Sequence, residues 1–205
     1  MRSIRHFFEQ SWLLIVASFV FGLLIAVTNA ALSPRIEQNK SSKLNELAGG
    51  LLPDATAFAP IRESIEIKTL DGRLQVLPVY RATVNNNTVG WVFQVVGSGF
   101  ADKIELVVAV DAAFETMAGF DVLSSNETPG FGDQIKYGYY RDQFKGAPAA
   151  ELSLVKAGDP ATIDAQIVAI SGATVSSTAV VEAIDHYLPQ VKAQLQQKGL
   201  IGNGN

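Results

Sequence analysis

The first strong feature of the chain is an uncharged apolar stretch near its N-terminus. No charged residue occurs from Gln10 to Pro34, and the side chains from Trp12 to Ala31 are almost all apolar. A helix of about 20 apolar residues spans the hydrocarbon part of a bilayer. We therefore predict a single transmembrane helix over residues 11–32.

The charges that flank this stretch predict its orientation. Residues 1–10 carry Arg2 and Arg5 against one acid, Glu9, and basic flanks stay on the cytoplasmic side of a membrane. We expect the N-terminus in the cytoplasm and the rest of the chain outside it. A cleaved signal peptide is the alternative, because Thr28-Asn29-Ala30 offers a processing site, but the apolar core of a signal peptide spans only about 7–15 residues.

The middle of the chain has the alternation and the turn residues of a sheet. Asp71-Gly72 favours the backbone angles of a tight hairpin turn, and Ile104–Val110 is apolar enough for a strand buried on both faces. The predicted strands are Ile65–Thr69, Leu74–Val76, Val79–Val84, Val89–Val96, Ile104–Val110 and Gly119–Leu123. Before these strands, Leu51-Leu52-Pro53 is followed by residues that are predicted to form a turn-rich stretch.

Two helices are predicted outside the membrane. Arg35–Ala48 mixes charged and apolar residues and ends at Gly49-Gly50, which indicates an amphipathic helix with a glycine stop. From Ser177 onward, apolar residues return every three to four positions, as on one face of a helix. Pro189 is expected to kink or divide this second helix, and Lys198-Gly199 to end it.

These elements predict an α+β fold: one transmembrane helix, then a domain with an antiparallel or mixed sheet and packed helices. Residues 33–60 would form a helical linker and residues 61–199 the extracytoplasmic domain. Residues 200–205 are glycine-rich and polar at their end, which is typical of a mobile tail.

Composition narrows the chemistry. The 48% apolar residues and the mean hydropathy of +0.19 fit a membrane segment. The net charge of −4 comes from interspersed acids and bases, so no basic patch is available for nucleic acid. A chain with no cysteine forms no disulfide and ligates no iron–sulfur cluster or thiolate zinc. The chain has two histidines, His6 and His186, which argues against a histidine-rich metal site or a haem with two histidine ligands. A redox function would therefore need an organic cofactor.

Small and hydroxyl-bearing residues gather just before the last helix. The tetrapeptide Ser171-Gly172-Ala173-Thr174 follows the apolar run Ile167–Ile170. A helix N-terminus presents unpaired N–H groups and the positive end of its dipole, so it can hold a phosphate. An ordinary Ser/Thr helix cap is the alternative interpretation, and spacing alone favours that cap.

This tetrapeptide resembles the flavinylation motif of a family of FMN-binding domains, found in the G subunit of the Rnf complex and in the C subunit of the sodium-pumping NADH:quinone reductase. The resemblance implies that Thr174 forms a phosphoester with FMN, installed by a separate flavin transferase that uses FAD. It also implies that Ser171, Gly172 and Ala173 belong to the cofactor site.

A second segment supports the resemblance. Residues 126–133, Asn-Glu-Thr-Pro-Gly-Phe-Gly-Asp, are similar to the Glu-Thr-Pro-Gly-Leu-Gly loop of the same family. Pro-Gly is a strong turn signal in its own right, so an ordinary turn is the alternative. In the family this loop lies against the flavin, which implies flavin contacts for Glu127, Thr128, Gly130 and Phe131.

The resemblance covers nearly the whole chain and implies an electron-relay subunit beside other membrane subunits of an ion-translocating redox complex. It implies a bacterial inner-membrane location with the FMN domain in the periplasm. The compact length favours the Rnf type over the quinone-reductase type. A membrane-anchored binding or assembly module without a redox role is the alternative, and flavin absorbance of the purified, unfolded protein distinguishes the two.

Other residues are weaker candidates. Val168 stands where the family motif usually has an aspartate, and the nearest acid is Asp164. His186, within the last helix, is expected to be a surface or packing residue rather than a ligand. A group of tyrosines could offer an aromatic surface to a flavin or quinone, although alternating aromatic residues more often pack in a sheet. These tyrosines are Tyr137, Tyr139 and Tyr140.

Overall fold

The computed structural model describes residues 2–202, with the side chains of residues 11–36 and 38–202. The chain divides into two compact units, residues 1–42 and residues 43–205. In chain order, the α-helices and β-strands are α1 (Arg2–Leu51), β1 (Ala57–Pro60), β2 (Ile65–Lys68), β3 (Leu74–Leu77), β4 (Val79–Val84), β5 (Asn87–Ser98), β6 (Lys103–Asp111), β7 (Met117–Ser125), α2 (Gly138–Arg141), β8 (Ser153–Val155), β9 (Gln166–Val168) and α3 (Thr174–Gln197). Two short 3₁₀ helices, Gly132–Lys136 and Asp142–Phe144, flank α2.

The first unit consists of α1 up to residue 42. The helix runs without interruption through the predicted anchor and the predicted amphipathic segment, and Pro34 lies inside it. Most of its large apolar side chains between Trp12 and Ile36 are exposed. In the part of the chain that the structure describes, α1 is the one helix that is long and apolar enough to cross a membrane.

The second unit is built on a five-stranded antiparallel sheet with the strand order β1-β4-β5-β6-β7. Successive side chains of a strand point to opposite faces. In β6, therefore, Leu106 and Val108 enter the main core, whereas Val107 and Ala109 enter a second, smaller core. All four side chains have no exposed surface, which confirms the prediction of a strand buried on both faces.

Helix α3 covers the main face of the sheet. Its buried positions include Val180, Ile184 and Leu188, spaced by four residues as a helix face requires. The sequence predicts a kink or a division at Pro189. The helix is not divided there, because α3 is a single element from Thr174 to Gln197 with Pro189 inside it. The helix also begins three residues earlier than Ser177, where the apolar period starts.

The opposite face of the sheet is covered by the last turns of α1. Leu44, Ala48 and Leu51 are buried there in the smaller core, together with Leu123 of β7. The Lys43 ammonium donates a hydrogen bond to the Leu123 carbonyl oxygen at 2.6 Å. The end of α1 is therefore part of the hydrophobic core of the second unit.

The hairpin β2–β3 forms a separate two-stranded sheet, with Gly72 at φ +82° in its turn. The side chain of Gln190 on α3 accepts a hydrogen bond from the Lys68 N–H at 2.8 Å. The His186 ring nitrogen Nε2 lies 2.6 Å from the Lys68 carbonyl oxygen. His186 therefore joins α3 to this hairpin, in keeping with the packing role expected for it.

Three local features differ from the sequence-based expectations. The turn-rich stretch contains strand β1, which pairs with β4. The tyrosines lie in and beside the short helix α2 and not in a sheet, so that assignment was wrong. Of the predicted tail, Leu200 and Ile201 pack against the main core, and residues 203–205 lie outside the described residues.

Candidate functional site

The tetrapeptide Ser171–Thr174 forms the tight connection between β9 and α3. The Ala173 N–H donates to the Ile170 carbonyl at 3.0 Å. Gly172 has φ +80°, a left-handed conformation that a side chain would strain. The chain thus reverses within a few residues and enters α3 at Thr174.

The N-terminus of α3 has no side-chain cap. The capping position is Ala173, which carries no hydrogen-bonding side chain, and no other side chain caps it. The first helical hydrogen bond runs from the Ser177 N–H to the Ala173 carbonyl at 3.0 Å. By helix geometry, the N–H groups of Thr174, Val175 and Ser176 precede that bond and have no partner within the helix. The Ser/Thr cap considered from the sequence is therefore not what the structure has.

Hydroxyl groups around this helix start have very different surroundings. Ser177 is fully buried; its hydroxyl donates to the Ala173 carbonyl at 3.0 Å and accepts from the Ile170 N–H at 3.0 Å. Ser176 is also buried, and its hydroxyl donates to the Glu127 carboxylate. Thr174, in contrast, is exposed.

The second motif forms the turn that Pro-Gly predicts. The Phe131 N–H donates to the Thr128 carbonyl at 3.1 Å, with Pro129 and Gly130 at the two central positions and Gly130 at φ +77°. Proline followed by a residue with positive φ is the pattern of a type II turn. This turn leaves the Phe131 side chain 56% exposed.

Glu127 connects three separate segments. One carboxylate oxygen accepts the Ala101 N–H at 2.9 Å, and the other accepts the Ser176 hydroxyl. Burial raises the pKa of the Glu127 carboxyl, but the hydrogen bonds from Ser176 and from the backbone N–H groups of Ala101, Phe100 and Asp102 outweigh burial and hold the pKa below its ordinary value. The carboxyl is therefore ionised at neutral pH.

The two motifs meet at one cavity of about 490 Å³. Its walls come from the β5–β6 turn, the Pro-Gly turn and the start of α3. The lining residues are Phe100, Glu127, Thr128, Phe131, Gly132, Gly172, Ala173, Thr174, Val175 and Ser176. Among these residues Glu127 carries the one charge, and Phe100 and Phe131 present largely exposed rings.

The structure thus brings six of the eight sequence-predicted site residues to this cavity. Gly130 lies in the turn beside it but does not line it. Ser171 lines a neighbouring cavity of about 280 Å³ together with Tyr139 and Val168. The backbone of Val168 is paired with the amide of Gln143, whose oxygen accepts the Val168 N–H at 2.8 Å.

The remaining candidates lie away from the 490 Å³ cavity. Tyr140 is fully buried, donates its hydroxyl to the Ser177 carbonyl at 3.1 Å and packs edge-on against Phe144. Burial raises the pKa of its hydroxyl well above the ordinary range, which fits a packing residue. The Asp164 carboxylate accepts the Gln166 N–H at 2.6 Å at the start of β9 and lines neither of the two cavities.

Two features of the site were not predicted from the sequence: Phe100 in the cavity wall and the hydrogen bond from Ser176 to Glu127. Phe100 lies in the turn between β5 and β6 and is 73% exposed. A phenylalanine within a short glycine-containing turn was an available signal, because loops carry binding residues. No local sequence pattern predicts the hydrogen bond of Ser176, because its partner Glu127 lies 49 residues away.

A larger cavity of about 600 Å³ contains neither motif. It lies between the β2–β3 turn, the end of β5 and α3, with Leu70, Arg73, Val96 and Tyr187 among its lining residues. Arg73 pairs with Asp71 in the same turn.

Comparison with known proteins agrees with this geometry. Residues 99–188 match the FMN-binding domain family, and this range includes both motifs. The C subunit of the Na(+)-translocating NADH-quinone reductase from Parabacteroides distasonis superposes with a TM-score of 0.56 at 19% identity. The superposition covers 83% of this chain and 98% of that chain, which shows a shared fold.

Relatives with closer sequences point to one family. The G subunit of the ion-translocating oxidoreductase complex of Methanosarcina acetivorans is 33% identical over 88% of this chain and 92% of its own length. The G subunit of the proton-translocating ferredoxin:NAD(+) oxidoreductase complex of Clostridium ljungdahlii is 29% identical over 87% of this chain and 88% of its own length. In each comparison the identity extends over most of this chain and most of the relative. The chain therefore belongs to the G-subunit family of ion-translocating oxidoreductase complexes.

Proposed function

We propose that this chain is the FMN-carrying electron-relay subunit of a membrane-bound, ion-translocating redox complex of the Rnf type. The observation that carries the proposal is the meeting of two distant motifs at one cavity, with the exposed Thr174 on its wall at the start of α3. FMN, when bound, supplies reversible electron transfer, which the side chains of this cysteine-free chain do not supply.

The cavity suits a flavin by its chemistry. The rings of Phe100 and Phe131 offer flat apolar surface, on which an aromatic ring system packs favourably. The uncapped N-terminus of α3 offers N–H donors and a positive dipole end to a phosphate. Gly172 lines the same cavity and brings no side chain into it.

Thr174 is the proposed attachment residue, in a phosphoester with FMN. Five hydroxyl groups lie in or near the motif, and chemistry alone does not choose among them. Burial supports Thr174, because the hydroxyls of Ser176 and Ser177 are inaccessible and engaged in hydrogen bonds. Thr178 is half-buried and lines neither cavity. Ser171 is exposed but lines the neighbouring cavity, whereas Thr174 is exposed and lines the cavity with the phenylalanine rings.

Two kinds of partner follow from this proposal. A separate flavin transferase would supply FMN from FAD, so that the Thr174 oxygen becomes bonded to the FMN phosphorus and AMP is the other product. Other membrane subunits of the complex would donate and accept the electrons. An ester suits a site outside the cytoplasm, where a dissociated FMN would be lost.

The proposed membrane arrangement is the one predicted from the sequence. Residues 1–10 would lie in the cytoplasm, residues 11–32 would cross the cytoplasmic membrane (the inner membrane of a bacterium), and residues 33–60 would lead to the FMN domain. That domain, residues 61–199 with a short tail, would lie in the periplasm or its equivalent. The apolar and exposed surface of α1 supports the membrane crossing, and the basic flank at Arg2 and Arg5 supports the orientation.

The test is the mass of the intact protein after co-expression with a flavin transferase. We expect the unmutated chain to carry an FMN-sized increment and Thr174→Ala to lose it entirely while still folding, because the Thr174 side chain is exposed at the start of α3. Ser171→Ala is the matched control, since it removes an exposed hydroxyl from the same tetrapeptide, and it should keep the increment.

Other results would contradict the assignment. An increment that persists in Thr174→Ala, or that maps to Ser176 or Ser177 in a peptide digest, would move the ester to another residue. An unmutated protein that is colourless after unfolding, without flavin absorbance, would favour a membrane-anchored assembly module with no redox role. A flavin released on unfolding would indicate non-covalent binding.

A further inference from the structure

Glu127 is the single charged residue among the buried residues of the described chain, with 5% of its surface exposed. Burial of a charge is costly unless hydrogen bonds compensate for it. Here both carboxylate oxygens have donors, the Ala101 N–H on one and the Ser176 hydroxyl on the other. The charge is thus stabilised in place by neutral donors and not by a cation.

The close packing around this carboxylate shows that its position is built into the fold. A Cβ added at Gly99 would overlap one carboxylate oxygen, and a Cβ added at Gly132 would overlap the other. Glycines on two different segments therefore leave the space that the carboxylate fills. Through its hydrogen bonds Glu127 holds both the turn that carries Phe100 and the first turn of α3.

We infer that the buried carboxylate of Glu127 lowers the midpoint potential of the flavin held in the 490 Å³ cavity. The inference rests on the proposed function, because it concerns the cofactor of that same site. It assigns Glu127 a role through its charge, which acts on the flavin at a distance and needs no direct hydrogen bond to it.

Electrostatics gives the sign of the effect. Each electron that the flavin accepts from an external reductant adds one negative charge to the site unless a proton accompanies it. A fixed negative charge in the cavity wall opposes that addition, and burial weakens the screening by solvent. No lysine, arginine or histidine is among the described residues that line the cavity, so no side-chain cation in the wall offsets it. The positive end of the α3 dipole has the opposite effect on the flavin potential, but it also interacts with the negative charge of the phosphate.

The experiment compares midpoint potentials of the full-length, FMN-loaded protein by spectroelectrochemical titration at pH 7. Glu127→Gln removes the charge and keeps the shape, so its potential should shift upward. Glu182→Gln is the matched control, because it removes the same charge from an exposed position of α3 outside the cavity. Its potential should stay at that of the unmutated protein. A Glu127→Gln potential equal to that of the control, or below it, would overturn the inference.

A second variant covers the case in which Glu127→Gln does not fold or load. Ser176→Ala keeps the charge and removes one neutral donor from it, so the flavin potential should shift downward, opposite to Glu127→Gln. An unchanged or raised potential would overturn the inference. The intact mass distinguishes a failure of this inference from a failure of the proposed function. If the protein carries an FMN increment but the variants leave the potential unchanged, only the role of Glu127 is rejected. If the unmutated protein carries no flavin, both the role of Glu127 and the proposed function are rejected.

Discussion

Thr174 and Ser176 carry the same chemical group on the same helical turn, yet their surroundings give them different roles. Ser176 is buried and bonded to Glu127, so its hydroxyl is a structural donor. Thr174 is exposed beside two phenylalanine rings, so its hydroxyl is accessible to a modifying enzyme. At the scale of single residues, accessibility and not chemistry distinguishes the proposed attachment site.

Substitution of two glycines in the Pro-Gly loop should destabilise the protein for different reasons, steric overlap at Gly132 and backbone strain at Gly130. Gly132→Ala would place a methyl group against Glu127 and Ser176, and we expect a loss of about 1–3 kcal/mol in the free energy of unfolding. Gly130→Ala meets open space but has φ +77°, so only backbone strain of about 1–2 kcal/mol should appear.

Denaturant unfolding of both flavin-free variants measures these losses. The two variants should differ further in the cofactor site, because overlap at Gly132 disturbs a cavity wall and strain at Gly130 does not. A Gly132→Ala variant with the stability and the flavin loading of the unmutated protein would show that the Glu127 carboxylate moves aside without cost.

At the scale of elements, α1 has two functions along its length. Its apolar exposed part satisfies the requirements of a membrane span, whereas Leu44, Ala48 and Leu51 complete the smaller core of the second unit. The helix therefore cannot be shortened to the membrane segment without exposing the face of β6 and β7 that these side chains cover.

Ala48→Asp tests this contribution of α1. Ala48 has no exposed surface, so the new carboxylate would be buried without a partner, and we expect a loss of more than about 2 kcal/mol in the free energy of unfolding. Asn45→Asp is the control, because it introduces the same charge at an exposed position of the same helix. Thermal unfolding in detergent measures both; similar melting temperatures would mean that α1 contributes little to this core.

At the scale of the whole molecule, one long helix connects the predicted cytoplasmic end to the FMN-binding domain. Helix α1 is continuous from Arg2 to Leu51, and the FMN-binding domain family matches residues 99–188. In the proposed arrangement the cofactor lies in the unit that follows the apolar segment, and the basic flank keeps Arg2 and Arg5 on the other side of the membrane.

Orientation is tested with a reporter that is active only in the cytoplasm. Fused after Asn205 it should be inactive, because the domain that precedes it is expected outside. Fused ahead of Met1 it should be active, which controls for expression of the chain. Activity of the C-terminal fusion would place the FMN-binding domain in the cytoplasm and remove the reason given for a covalent ester.

Much of this protein follows from local sequence. The length of the apolar stretch determines that α1 is long enough to span a membrane, because the thickness of a bilayer is fixed. The apolar run of β6 determines a strand buried on both faces, and Pro129-Gly130 determines a turn, because ring closure and positive φ are properties of those two residues alone.

Tertiary structure decided the rest of the site. Three features of the site depend on segments that meet only in the folded chain: the burial of Ser176, the position of Phe100 and the hydrogen bonds of the Glu127 carboxylate. Glu127 and Ser176, for example, are 49 residues apart in the sequence. The tyrosines show the same limit, because an aromatic run fits either a strand or a short helix until its partners are known. Periodicity and turn signals report on neighbours along the chain, whereas burial and hydrogen-bond partners are properties of residues brought together by folding.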